Sequence, residues 1–154
     1  MGKITISSFK EFDVFTEKEI GSSEYLTITQ DRINRFADAT LDHQWIHTDP
    51  ERAAKSNFGS TIAHGYLTLS ILPHLWEEIA EIRNIKMMVN YGIENLRFAE
   101  PVLVNNDVRL HATLESLTDL RGITKCVLGC KLEVKGKVKP ALKASLVFLY
   151  HFIS

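Results

Sequence analysis

The eight residues Asp42-His43-Gln44-Trp45-Ile46-His47-Thr48-Asp49 carry two of the chain's six histidines and two acids. A neutral imidazole close to a carboxylate is the usual equipment for moving protons near neutral pH. The cluster is a candidate for acid–base chemistry. The same residues can equally form a polar loop whose side chains cap neighbouring helices, and residue types alone leave both readings open. A third reading is zinc, because His43 and His47 have the i, i+4 spacing of a metal-binding helix. Gln44 then stands where a metalloprotease keeps its general-base glutamate, and an amide cannot take that role. No third ligand lies nearby in sequence, and Pro50 follows closely, so no metal is expected.

A second feature is Ala63-His64-Gly65-Tyr66-Leu67, at the entry to an apolar stretch. Glycine there lets a ligand approach the backbone, and the free amides of a helix start favour negative charge. The helix start at Gly65 is therefore a candidate oxyanion hole. A glycine required only for the turn explains the same residue.

These residues need elements to hold them. Thr29 is a good N-cap for a helix reaching Ala39, with Ile33, Phe36 and Ala37 on its buried side. Asp49-Pro50 is an N-cap and first-turn pair, opening a short helix to about Ser56. The longest helix is expected from about His64 to Arg83. Its first part, Tyr66 to Leu72, has no charge on any face, which predicts burial all round. Pro73 should bend it. Beyond Arg83 the periodicity changes to two, giving strands over Lys86–Phe98, Val108–Leu117, Ile123–Val134 and Ala141–Phe152. Turn residues such as Asn105-Asn106-Asp107 and Arg121-Gly122 separate them. The pattern predicts an α+β fold in which a meander of antiparallel strands curls over one apolar helix.

The whole chain sets bounds. A chain of 154 residues can bury roughly 70% of its unfolded surface, and no repeat, linker or boundary divides it, so 1–154 reads as one domain. The 18 basic and 19 acidic residues give a net charge of −1, without the dense basic face that nucleic acid requires. Lys131, Lys135, Lys137, Lys139 and Lys143 read as a solvated hairpin end. Cys126 and Cys130 are four apart in an apolar run and read as small core residues. The N-terminus lacks the apolar run of a signal peptide, and no 18-residue apolar window occurs elsewhere. No membrane segment and a cytoplasmic location are expected.

Taken together, Phe36-Ala37-Asp38-Ala39-Thr40-Leu41-Asp42-His43-Gln44-Trp45-Ile46-His47-Thr48-Asp49-Pro50-Glu51-Arg52-Ala53 and Thr61-Ile62-Ala63-His64-Gly65 resemble the hydratase-2 motif of the MaoC-like dehydratases. Val89-Asn90-Tyr91-Gly92, Leu96-Arg97-Phe98 and Pro101-Val102 resemble the branch named after nodulation protein N. The resemblance covers nearly the whole chain. It implies a single hot-dog domain, a curled antiparallel sheet wrapped around a long central helix. It also implies a homodimer or an assembly of dimers with acyl-CoA sites near the subunit interface. The activity implied is R-specific hydration of trans-2-enoyl-CoA, with Asp42 and His47 as the catalytic pair and the Gly65 amide as oxyanion donor. Coenzyme A would be part of the substrate and no separate cofactor is implied. The best-studied hydratases have Asn-Pro where Gln44-Trp45 stand here. Gln44 offers its amide one methylene further out, to position the water or substrate. Two alternatives share the ligand: an acyl-CoA thioesterase of the same fold, and a non-catalytic acyl-CoA-binding module.

Overall fold

The computed structural model describes residues 2–153. In chain order the elements are β1 (Ile4–Ile6), α1 (Phe9–Asp13), β2 (Lys18–Ser22), β3 (Leu26–Thr27), α2 (Gln30–Thr40), α3 (Trp45–Thr48), α4 (Pro50–Ala54), α5 (Gly65–Ser70), α6 (Leu72–Ile79), β4 (Ala80–Ile82), β5 (Ile85–Phe98), β6 (Asp107–Leu120), β7 (Ile123–Val134) and β8 (Leu142–Phe152).

The main sheet runs β2-β6-β7-β8-β5, with β3 also paired to β6 and every pairing antiparallel. Only β6, β7 and β8 form a meander. β5 does not pair with its successor β6, as a simple meander would require, but lies at the far edge against β8. Alternation sets the faces. Val108, Leu110, Ala112 and Leu114 of β6, and Cys126, Leu128, Cys130, Leu132 and Val134 of β7, turn inward. They meet Leu67 of α5 and Leu72, Leu75, Trp76 and Ile79 of α6 in one core. Each large side chain so buried contributes about 1.5–3 kcal/mol. Trp76 Nε1 donates to the Tyr150 hydroxyl at 2.7 Å, so the largest core group leaves no polar atom unpaired. Cys126 and Cys130 are free and buried, and burial pushes the Cys130 thiol up to about 12.

The central helix is shorter than its sequence pattern implied. It breaks at Ile71, which closes α5 and opens α6. Pro73 falls in the first turn of α6, where its missing N–H costs nothing, so it starts a helix rather than bending one. Ala80–Ile82 leave the helix to pair in parallel with β1, an element that the sequence pattern did not reveal. Burial of the Tyr66–Leu72 stretch is also incomplete. Leu67 and Thr68 are buried, but Tyr66 is 68% exposed, so one face of α5 lies open. Among the described residues no helix is long and apolar enough to cross a membrane.

The lysines do not form one hairpin-end patch. Lys135, Lys137 and Lys139 lie in or beside the β7–β8 turn, whereas Lys131 and Lys143 are register partners in the strands themselves. There they flank an open groove of about 660 Å³ on the outer face of the sheet.

Candidate active site

Three short elements converge on the candidate pair. Thr29 caps α2 by accepting from Arg32 N, and the helix ends at Leu41, whose φ of 66° turns the chain sharply. Asp42 follows in an exposed loop. Its carboxylate faces the Gln44 backbone amide, Oδ1 to N being 3.4 Å. Gln44 is the N-cap of α3 through its backbone and makes no side-chain capping bond. Asp49 closes α3 and caps α4 by accepting from Arg52 N at 3.1 Å, with Pro50 in the first turn as expected. The segment 62–63 then threads beside α3, where Ile62 N donates to Ile46 O at 3.0 Å and Ala63 N to Val102 O at 2.8 Å. Gln30 pins the arrangement from α2 by donating to the His47 carbonyl at 2.8 Å.

His47 is 6% exposed. Its Nδ1 lies 2.8 Å from the Ile62 carbonyl. A carbonyl only accepts, so Nδ1 carries the proton and Nε2 keeps its lone pair. Burial pushes the imidazole below its ordinary pKa; the Ile62 bond opposes this, neighbouring His64 reinforces it, and Asp42 opposes it. The group is therefore neutral near pH 7, in the tautomer of a base with Nε2 as its basic atom.

The structure brings together Asp42, His47 and a residue to which the sequence reading gave no role, His64. One ligand atom from each lies within 4.8 Å of the others. That donor set is chemically suited to a transition metal. The two imidazoles, however, are stacked with ring centroids 3.8 Å apart and planes 22° from parallel. A metal sits in the plane of each imidazole that binds it, and two nearly parallel planes this far apart share no such point close to both rings, which fits a proton-handling pair better than a chelate. The other zinc candidate is dispersed, because His43 turns outward to Asp38 Oδ1 at 2.9 Å.

Gly65 begins α5. The amides of Leu67 and Thr68 return to the His64 carbonyl, leaving those of Gly65 and Tyr66 at the open helix end. A cavity of about 210 Å³ adjoins it, lined by Phe58, Ile62, Ala63, Thr68, Phe98 and Val102 among others. Ile62 joins this cavity to His47, since its carbonyl holds Nδ1 while its residue lines the wall. Neither His64 nor Phe98 drew a role from spacing. His64 stood inside the quoted Ala63-His64-Gly65 run, but its contact with His47 spans 17 residues of chain and has no local signature.

Residues 12–135 match the family described as MaoC like domain. The chain is 42% identical over 147 residues to 3-hydroxyacyl-thioester dehydratase Z of Mycobacterium tuberculosis (strain ATCC 25618 / H37Rv), covering 95% of this chain and 97% of that protein. It is 42% identical over 139 residues to nodulation protein N of Rhizobium leguminosarum bv. viciae, covering 88% and 86%. The backbone also matches the (R)-hydratase from A. caviae involved in PHA biosynthesis, with a TM-score of 0.67, 24% identity, and coverage of 84% and 95%. That likeness extends the hot-dog arrangement of curled sheet and central helix to a solved structure. With the family match spanning most of the chain and a relative aligned along nearly its whole length, this chain belongs to the MaoC-like dehydratases, a family of hydro-lyases.

Proposed function

We propose that this chain catalyses R-specific, reversible hydration of trans-2-enoyl-CoA to (3R)-hydroxyacyl-CoA. The observation that carries the reading is the tautomer of His47, set by the Nδ1–H bond to Ile62, in an imidazole that has a ring nitrogen within 4.8 Å of an Asp42 carboxylate oxygen. The relative named 3-hydroxyacyl-thioester dehydratase supports the reaction class in the reverse direction. A water held between Asp42 and His47 adds its oxygen to the β-carbon as one of the pair takes its proton. The member of the pair that took it then returns that proton to the α-carbon from the same face, completing a syn addition of water and restoring the pair. Between these events charge rests on the thioester oxygen, where the Gly65 N–H stabilises the enolate; one such donor is worth ~10²–10³ in rate. Gln44 would help to hold the water or substrate through its exposed amide. The reaction needs no cofactor and no metal, and coenzyme A enters only as part of the substrate.

The edge strand β5 supports a homodimer. Met87, Val89, Tyr91 and Ile93 are all exposed along it, and a long apolar edge is a liability unless another strand covers it. A second copy docking there would also approach Tyr66 and Phe98, next to Gly65.

The deciding experiment is incubation with crotonyl-CoA. Loss of the enoyl absorbance with coenzyme A still esterified supports the hydratase. Release of free thiol would transfer the site to a thioesterase, and binding without either change would make it an acyl-CoA-binding module.

A further inference from the structure

His64 lies at the start of α5, only 3% exposed. Its Nε2 is 3.0 Å from the Asp42 backbone carbonyl, so Nε2 carries the proton and donates. Nδ1 is buried and has no hydrogen-bond partner among the described residues. An unpaired buried acceptor costs stability, and a phenyl ring would fill the same space without that cost. Burial among apolar neighbours therefore does not explain a histidine at this position. Two properties do. Its N–H ties the exposed Asp42 loop to the helix start, 22 residues away in sequence. Its ring stacks on His47 at 3.8 Å on one side and packs against Phe36 of α2 at 4.9 Å on the other.

We propose that His64 is a positioning residue for the acid–base pair, holding the Asp42 backbone in place and keeping the stacked His47 imidazole neutral between turnovers. The inference rests on the reading of Asp42 and His47 as that pair. With His64 stacked on one face of its ring, His47 is closed to water on that face, and the lost hydration disfavours the charged imidazolium. Cover of this kind needs no charge on His64. The titratable groups acting on His47 are Asp42, from the loop after α2, and His64, from α5. Phe36, Ile62 and Gln30, which also surround the stack, are uncharged.

The test is an NMR titration of the imidazole nitrogens in the wild-type chain, in His64→Gln and in His64→Phe, run beside crotonyl-CoA hydration. The glutamine amide can reach the Asp42 carbonyl, and the phenyl ring keeps the stack but loses the donor. Wild-type His47 should titrate below the ordinary value as the Nδ1–H tautomer. His64→Gln, which uncovers the ring face, should raise its midpoint and with it the acid limb of kcat/KM, whereas His64→Phe, which keeps the cover, should leave both low. His64→Phe should lower kcat by up to ~10²-fold, the scale of a misplaced catalytic group, with little change in KM, and His64→Gln should recover most of that loss. An unchanged His47 midpoint in His64→Gln overturns the tuning role. Equal kcat in two folded variants overturns the positioning role. The titration needs no turnover, so it separates the two ideas: a shifted midpoint in a chain that hydrates no enoyl-CoA would retain His64's effect on His47 and sink the reaction. If His64→Phe does not fold, His64→Gln alone still decides the midpoint.

Discussion

The ring of Phe98 lies 3.1 Å from the place that a Cβ on Gly65 would occupy. The last residue of β5 thus lies against the first residue of α5, and any side chain at 65 would push the half-exposed Phe98 ring aside by a few tenths of an ångström. Two demands meet at one position, packing and access to the amide. Gly65→Val should abolish measurable hydration, a loss of at least ~10²-fold if the amide is the oxyanion donor. Adding Phe98→Ala should restore thermal stability by removing the clash, without restoring turnover. A double variant that regains activity would show that the glycine serves Phe98 alone.

The acid–base pair makes a different demand on its variants. Asp42→Asn and His47→Asn should each lower turnover ~10²–10⁴-fold, and the double variant should be scarcely slower than either single one. Asp42 is exposed, so its replacement should move stability by no more than about 0.5 kcal/mol. Asparagine at 47 can still donate to the Ile62 carbonyl. His47→Ala cannot, and should cost about 1–3 kcal/mol by leaving that carbonyl unpaired. Steady-state kinetics with chemical denaturation checks both; near-normal turnover in either single variant removes that residue from the mechanism.

The direction of the His47 shift fixes a pH dependence. Its folded pKa is depressed below the ordinary 6.5, so activity that needs the neutral base should hold through pH 6.5 and fall only below it. Stability follows the same sign. The folded chain binds this proton less readily than the unfolded chain, so the contribution is full above about 6.5 and is lost as pH falls toward the folded value. Thermal unfolding across this range should show an acid slope that His47→Asn reduces. An equal slope in both proteins would contradict the buried neutral imidazole.

Chelation should leave hydration unchanged, and elemental analysis should find no stoichiometric metal. The physical reason is the stacked geometry of His47 and His64, whose nearly parallel ring planes share no point close to both rings. Loss of activity with a chelator and its recovery on adding zinc would assign Asp42, His47 and His64 to a metal instead.

Tyr91, 65% exposed on β5, tests the dimer. Tyr91→Asp should leave the folded subunit intact, since it removes little buried surface, yet shift the assembly toward monomer in sedimentation velocity. Because the partner would adjoin the Gly65 site, hydration should fall with it. A wild-type chain that sediments as a monomer at micromolar concentration would refute the interface.

Much of the fold was legible because local rules govern it. Thr29, Asp49 and Pro50 mark helix starts through bonds spanning three residues. The two-residue alternation of β6 survives over its first eight residues because one face of the strand meets the core. Residue types marked the Asp42–Asp49 cluster and Gly65 as candidates, and the resemblance to the MaoC-like dehydratases singled out Asp42 and His47 within it. Tertiary structure decided what depends on distant partners: the placement of β5 beside β8, the pairing of β1 with β4 that ends α6 early, and the open face at Tyr66. It also decided the chemistry within the nominated cluster. No periodicity encodes which carbonyl receives His47 Nδ1–H, that His64 stacks on His47 while His43 turns outward, or that Phe98 covers Gly65. Each is a contact between segments 15 or more residues apart, or a choice between two neighbouring side chains, and packing alone selects among such arrangements.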